Sequence, residues 1–327
     1  MLKNTLQMKI RVVATFLIAV AFGTTRSFAQ QDAHFTQYMF NQSYFNPAAV
    51  GLEQGFRGGL LYRNQWSGYT GQGSGGAPTN ILFTGSAPIM KYKMGIGLVV
   101  NSDKIGANTD LQVGANVAKH FSVGPGRLSV GLKLGVQSRS IDGGEFKVND
   151  QNDPVYQALK ASSGQLVADL GAGLFYQSDK WFAGFSANHL TEPQFDFGGG
   201  DKAKNTLNRH YYLTGGYNFE LSPSVVLAPS VNVKSDSKVT QFEISALAKI
   251  NNQFYAGLAY REQDAMSLIL GAGMLKDNRL RITYSLDYTV PSTDAKKATS
   301  HEIMASYFLP MTMKGAKPVI RTPRYRK

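Results

Sequence analysis

The chain contains no cysteine. That absence removes disulfide stapling, thiol chemistry and thiolate metal ligands together, and it excludes a lipid anchor on a processed cysteine. Long apolar runs are also missing. The stretch VVATFLIAVAFG, from Val12 to Gly23, falls short of the roughly 20 residues a helix needs to span a bilayer. Charge is sparse: Asp, Glu, Lys and Arg make up 17% of the 327 residues, against about 25% in ordinary soluble domains. No acidic residue follows Glu302. A chain so poor in charge and cysteine has to be held by a sheet, a core or a membrane.

What is present begins with a secretory pattern. Lys3, Lys9 and Arg11 precede the apolar stretch, and Ser27-Phe28-Ala29 puts small residues at the two positions a signal peptidase reads. Residues 1–29 are therefore read as a signal peptide cleaved after Ala29. They carry four basic groups and no acid, so the formal charge of +12 falls to +8 for the remainder. Six of those charges (Lys314, Lys317, Arg321, Arg324, Arg326 and Lys327) sit in the last residues. The body is close to neutral, which argues against nucleic acid as a partner.

Beyond residue 55 the pattern has period two. In RLSVGLKLGVQ, Leu128, Val130, Leu132, Leu134 and Val136 alternate with Ser129, Gly131, Lys133, Gly135 and Gln137. LQVGANVAKHF and RLRITYSLDYT repeat it. Such runs predict fourteen strands: 55–63, 80–88, 93–101, 109–122, 127–138, 166–177, 180–189, 209–220, 224–234, 239–250, 253–262, 264–275, 279–290 and 300–309. Many have the roughly 9–11 residues of a tilted membrane strand. Connections alternate between tight and long or polar; the eleventh, at Gln263 alone, breaks the pattern and suggests a misplaced boundary. Aromatic pairs gather near strand ends: Trp181 and Phe182, Tyr211 and Tyr212, Tyr217 and Phe219, Tyr307 and Phe308. The fold class predicted is all-β, a transmembrane outer-membrane barrel of about 14 antiparallel strands. An even strand number puts both termini on the periplasmic side. The alternative, a soluble β-sandwich, fits less well with the long strands and with polar faces rich in Gly, Ser, Asn and Thr.

Motifs for chemistry are few. The five histidines, at 34, 120, 189, 210 and 301, lack metal-ligand spacing. His301-Glu302 opens like a zinc-protease motif, but Ala305 stands where the second ligand would be. Gly71, Gly73 and Gly76 spell a dinucleotide fingerprint, yet Pro78 follows where a helix should begin. A barrel hydrolase would need a serine–histidine relay, and no nucleophile elbow occurs. No enzymatic activity, cofactor or metal is predicted. Charges on strands are more telling: Asp169, Glu243, Arg261, Arg281 and Asp287 sit among apolar neighbours and should face the lumen and pair.

One stretch fits none of this. FTQYMFNQSYFNPAAVGL, Phe35 to Leu52, has five aromatic residues and no charge. Asn46-Pro47 breaks it. It precedes the first strand, so it should start in the periplasm and pack at the mouth or inside the lumen. Together with YRNQWSGYTG, APTNILFTGSAPI, GIGLVVNSDKIG, YREQDAMSLILGAG and YSLDYT, it resembles the PorP/SprF family of type IX secretion system outer-membrane proteins. The resemblance covers nearly the whole mature chain. It implies a fourteen-stranded barrel, residues 55–310, behind an N-terminal segment, 30–54, and before a basic tail, 311–327. The signature positions here are Gln37, Tyr38, Asn46, Pro47, Gly51, Arg63, Gln65 and Trp66. Implied partners are outer-membrane lipid, periplasmic lipoprotein or ring components of the machine, and a large secreted surface adhesin, with links to gliding. Arg321, Arg324 and Arg326 are read as a periplasmic contact with an acidic partner. The runner-up function is a diffusion porin or small-solute transporter, with the 139–165 loop and the N-terminal segment as candidate plugs.

Overall fold

Period-two patterning produces strands here because each one has two unlike surroundings, lipid outside and a packed polar lumen inside. The computed structural model describes residues 32–69, 76–142, 149–150, 152, 156–157, 164–197, 204–290 and 298–311. Residues 1–31 and 312–327 lie outside them, so the signal peptide and Arg321, Arg324 and Arg326 receive no structural account.

The barrel staves run in chain order: β1 (Gly55–Asn64), β2 (Thr79–Ile89), β3 (Met94–Ile105), β4 (Asn108–Val123), β5 (Gly126–Ile141), β6 (Gln165–Gln177) and β7 (Trp181–Asn188). A small hairpin, β8 (Gln194–Asp196) and β9 (Lys204–Thr206), stands apart from the wall. The wall resumes with β10 (His210–Tyr217), continued by β11 (Phe219–Ser222) as one stave. It goes on through β12 (Val225–Ser235), β13 (Thr240–Ile250), β14 (Phe254–Arg261), β15 (Ala265–Met274), β16 (Leu280–Thr289) and β17 (Thr299–Pro310). Neighbours pair antiparallel throughout, and β1 pairs with β17 from Gly55↔Pro310 to Asn64↔His301, which closes a 14-stranded ring. Closure leaves no sheet edge in lipid. The outward face carries apolar side chains such as Leu60, Ile81, Leu98, Leu134 and Leu258.

Two details differ from the sequence reading. The connection expected at 102–108 is a tight turn at 106–107, because β3 and β4 extend further than their apolar alternation shows, and the one at Gln263, where a misplaced boundary was suspected, is a tight turn at 262–264. The adjacent aromatic pairs do not all face lipid. Tyr212 is buried in the lumen and Phe182 stacks on Phe175, since period two must split neighbours between faces.

The longer connections (65–78, 142–164, 189–209 and 290–298) share one end of the barrel, and the turns at 90–93, 124–125 and 178–180 share the other. Thr36 and Gln37 bond β16 and β17 near the long-loop end, whereas Gly51 and Leu52 bond Ser86 and Arg127 near the short-turn end. Residues 32–52 thus run the length of the lumen, through a 3₁₀ turn (Tyr38–Phe40), a short helix α1 (Gln42–Phe45) and a second 3₁₀ turn (Pro47–Ala49). The described chain starts at one end and finishes, at Met311, at the other. The expectation that both termini share a side concerns residues outside the described ones. An even strand number fixes only the ends of β1 and β17, and the segment before β1 crosses back through the barrel.

Candidate functional site

An irregular segment inside a barrel must find a partner for every backbone polar group. Here the wall's luminal side chains supply them. Asn116 Nδ2 donates to the Ser43 carbonyl at 2.8 Å, Ser186 Oγ and Asn188 Nδ2 donate to the Phe45 carbonyl at 2.7 and 3.2 Å, and Arg127 Nη2 donates to the Leu52 carbonyl at 2.5 Å. The Gly51 N–H donates to Ser86 Oγ at 2.8 Å. The polar faces of β2, β4, β5 and β7 are therefore sources of fixed partners for the segment.

Asn46 is the clamp at the short-turn end. Its Oδ1 accepts from the Ala48 N–H at 2.9 Å, capping the Pro47–Ala49 turn, with proline at its favoured first position. Its Nδ2 donates to the carbonyls of Leu174 on β6 and Phe185 on β7, at 2.9 and 3.2 Å. Those two residues face each other across the strand pair. The close approach needs bare backbone: a Cβ on Gly173 would stand 2.1 Å from Asn46 Oδ1, and one on Gly131 would stand 2.4 Å from the Ala48 nitrogen. Gly51, at φ +68°, takes the left-handed turn that leads into β1, against the backbone of Gly95.

Midway, the aromatic residues form the plug's core. Phe35, Tyr38, Tyr44 and Phe45 pack with Leu61, Leu82, Val99, Tyr212 and Met304 of the wall. Phe35, Tyr44, Phe45 and Tyr212 meet edge to face at centroid separations of 4.9–6.5 Å, a favoured geometry. The Tyr38 hydroxyl lies 2.8 Å from Ser230 Oγ and 3.0 Å from Ser245 Oγ.

Toward the long-loop end lies an ion network closed by the segment itself. Arg63 Nη1 reaches Asp287 Oδ2 at 2.8 Å and also bonds Glu302. Arg261 reaches Glu243 at 3.1 Å and Asp264 at 2.8 Å. Thr36 joins the two halves: its hydroxyl donates to Asp287 at 2.8 Å and accepts from Arg261 Nη2 at 2.8 Å. The Thr36 and Gln37 N–H groups donate to Glu302 at 2.7 and 3.2 Å. A third group surrounds Asp32. His189 Nε2 lies 3.1 Å from Asp32 Oδ1, and His189 Nδ1 lies 2.9 Å from Asp169 Oδ1, with Lys133 Nζ 2.8 Å from the same carboxylate. Burial would raise the Asp32 carboxyl, but the His210 and His189 imidazoles and Lys234 outweigh it and hold the group well below the usual carboxylate range. Burial would lower His189, but Asp32 and Asp169 outweigh it, so the imidazole sits above its ordinary value.

Of the positions singled out in the sequence, the fold gathers Gln37, Tyr38, Arg63, Glu243, Arg261 and Asp287 around Thr36. Asn46, Pro47 and Gly51 line the glycine-faced wall, and Asp169 joins the Asp32 group. Gln65 and Trp66 stand apart, beyond the end of β1, where their N–H groups donate to the Pro78 carbonyl at 2.8 Å and Ser300 Oγ at 3.0 Å. Arg281 is not held by a carboxylate; its guanidinium lies over the Phe40 ring at 3.9 Å. Sequence reading assigned no role to Thr36, Lys133, Lys234 or Asp32, and Glu302 and the two histidines entered it only as rejected metal motifs. Alternation already placed Glu302, Lys133 and Lys234 on luminal faces. Nothing periodic marked Asp32 or Thr36. His189 and His210 are 21 positions apart in the chain, too far for local spacing to show their meeting. At the short-turn mouth a cavity of ≈ 290 Å³ remains, lined among others by Phe40, Leu52, Glu53, Arg57, Phe175 and Gln177.

A closed, lipid-faced ring of 14 antiparallel strands defines an outer-membrane β-barrel, here with its lumen occupied by its own N-terminal segment. The family model described as type IX secretion system membrane protein PorP/SprF matches residues 27–307, and the chain belongs to that family. No curated protein matches the chain. Among solved structures, the TodX ΔS2S3 mutant, a monoaromatic hydrocarbon channel, is similar with a TM-score of 0.51 at 13% identity, covering 81% of this chain and 93% of that one. The Ralstonia pickettii toluene transporter TbuX gives 0.46 at 13% identity, covering 80% and 90%. The Acinetobacter baumannii outer membrane protein Omp33 gives 0.45 at 5%, covering 79% and 100%. The first of these likenesses concerns the barrel fold alone. The chain is an outer-membrane component of the type IX secretion system.

Proposed function

We propose that this barrel is a non-enzymatic, self-plugged part of the secretion machine. It supports secretion or surface attachment of a large adhesin-type substrate and docks periplasmic lipoprotein or ring components at its short-turn mouth. The observation that carries this reading is the occupied lumen. A fourteen-stranded barrel is wide enough for a channel unless something fills it, and residues 32–52 fill it with a bonded, aromatic core. A diffusion porin would have to expel that segment. Short turns face the periplasm in barrels of this kind. On that arrangement Met311 lies at the periplasmic mouth, Asp32 lies near the outer mouth, and the 290 Å³ cavity opens toward periplasmic partners. Its mixture of aromatic rings with Glu53 and Arg57 suits a protein side chain better than a small solute.

Crosslinking in living cells, followed by purification from the outer membrane and mass spectrometry, tests the reading. Recovery of ring or lipoprotein components, or of one very large surface protein, supports it. The purified chain should conduct little in planar bilayers, and deletion of Asp32–Ala49 should raise conductance. A wild-type barrel that conducts freely and brings down neither class of partner would return the assignment to a porin.

A further inference from the structure

We propose that Asp32, His189 and His210 form a site for a divalent transition-metal cation, zinc in the first instance, that fastens the N-terminal segment to the barrel wall. The three residues come from separate parts of the fold: the segment itself, the connection after β7, and the first position of β10. Their ligand atoms lie within 4.8 Å of one another. At metal–ligand distances of about 2.0–2.2 Å, tetrahedral ligand atoms stand about 3.4 Å apart. His189 Nε2 is 3.1 Å from Asp32 Oδ1, and His210 Nδ1 is 3.9 Å from Asp32 Oδ2. Two imidazoles and one carboxylate make a donor set that zinc accepts, with a fourth position left for water.

One further observation points to a cation, the support behind His189. Asp169 sits 2.9 Å from Nδ1, the outer-shell carboxylate that fixes an imidazole with its other lone pair toward a metal. Lys133, at 2.8 Å, holds that carboxylate in turn. His210 is fully buried and offers Nδ1, which lies 3.0 Å from the Asn208 carbonyl; metal binding at Nδ1 would move the ring proton to Nε2, which has no other hydrogen-bond partner. The surrounding charge also admits a cation. Asp32, Asp103, Asp110 and Asp169 outnumber Lys133, Arg139 and Lys234 by one. Tyr212, 2.5 Å from Asp32 Oδ2, and Lys234, 2.7 Å from the Asp32 carbonyl, hold the carboxylate in position.

The test uses the mature chain, made without a polyhistidine tag, purified in detergent, stripped with chelator and titrated with zinc chloride. One zinc per chain should survive gel filtration, and the melting temperature should rise with free zinc. Cobalt substitution should give the intense visible absorption of a four-coordinate site. His210→Ala should lose the bound metal and the melting shift together, while His301→Ala, which alters a histidine on the barrel wall far from the site, should keep both. If His210→Ala does not fold, Asp32→Asn takes its place with the same expected loss. A wild-type chain that retains no zinc and shows no melting shift overturns the proposal and leaves a proton on His189 as the fastening. Equal zinc in wild type and variants overturns it as well, marking the metal as adventitious.

Discussion

Replacing Asn46 with alanine removes one side chain that closes three hydrogen bonds: to the carbonyls of Leu174 and Phe185 and from the Ala48 N–H. Loss of an N-cap costs about 1 kcal/mol. Each bond to a carbonyl that keeps its ladder partner across the β6–β7 pair is worth about 0.5–1.5 kcal/mol. Taking the cap and both carbonyls together, Asn46→Ala should destabilise the barrel by about 2–4 kcal/mol. Equilibrium urea unfolding in lipid vesicles measures this. Tryptophan fluorescence is the natural probe, because one of the chain's two tryptophans, Trp181, begins β7 beside the clamp. A second arm isolates the contact. Gly173→Ala puts a Cβ 2.1 Å from Asn46 Oδ1, so it should be costly in the wild type. On the Asn46→Ala background most of that clash is gone, and the double-mutant cycle should show coupling of at least about 1 kcal/mol. A cost below about 0.5 kcal/mol for Asn46→Ala, or a Gly173→Ala penalty unchanged by the background, would refute the placement of the segment against the β6–β7 pair.

Other outcomes follow from the same lumen. Arg63→Ala leaves Asp287 and Glu302 buried without their shared cation, and should cost about 3–5 kcal/mol in the same unfolding assay; a loss under 1 kcal/mol would mean the network is hydrated rather than sealed. Arg281→Ala gives up the guanidinium–ring contact with Phe40 and should cost about 0.5–2 kcal/mol; Arg281→Lys should recover only part, and full recovery would show that charge alone matters there.

The wall was legible in detail and the plug only in outline, for a physical reason. A stave between lipid and lumen must alternate, so each expected strand lies within a few residues of the one observed. Glu243, Arg261 and Asp287 stood out because lipid cannot hold them. The segment at 35–52 follows no period, since its residues meet different staves through separate turns; its aromatic content showed that it needed cover without showing its direction of travel. The β8–β9 hairpin escaped notice because two strands of three residues each carry too little pattern. Arg281 was expected among charged partners, yet its place near the short-turn end offers it Phe40 and Tyr255 instead. The meeting of Asp32 with His189 and His210 belongs to tertiary structure, with no local signature to read.

The run of the chain from the long-loop end to the short-turn end also constrains how the molecule is made. A finished cylinder would have to be threaded by its own leading residues. A sheet still open between its first and last staves, β1 and β17, can instead be rolled around them. The bare backbone at Gly131 and Gly173 lets the segment lie down on the middle of the sheet before Gly55 and Pro310 come together. Such a path favours closing the seam last, with the early residues as the mandrel.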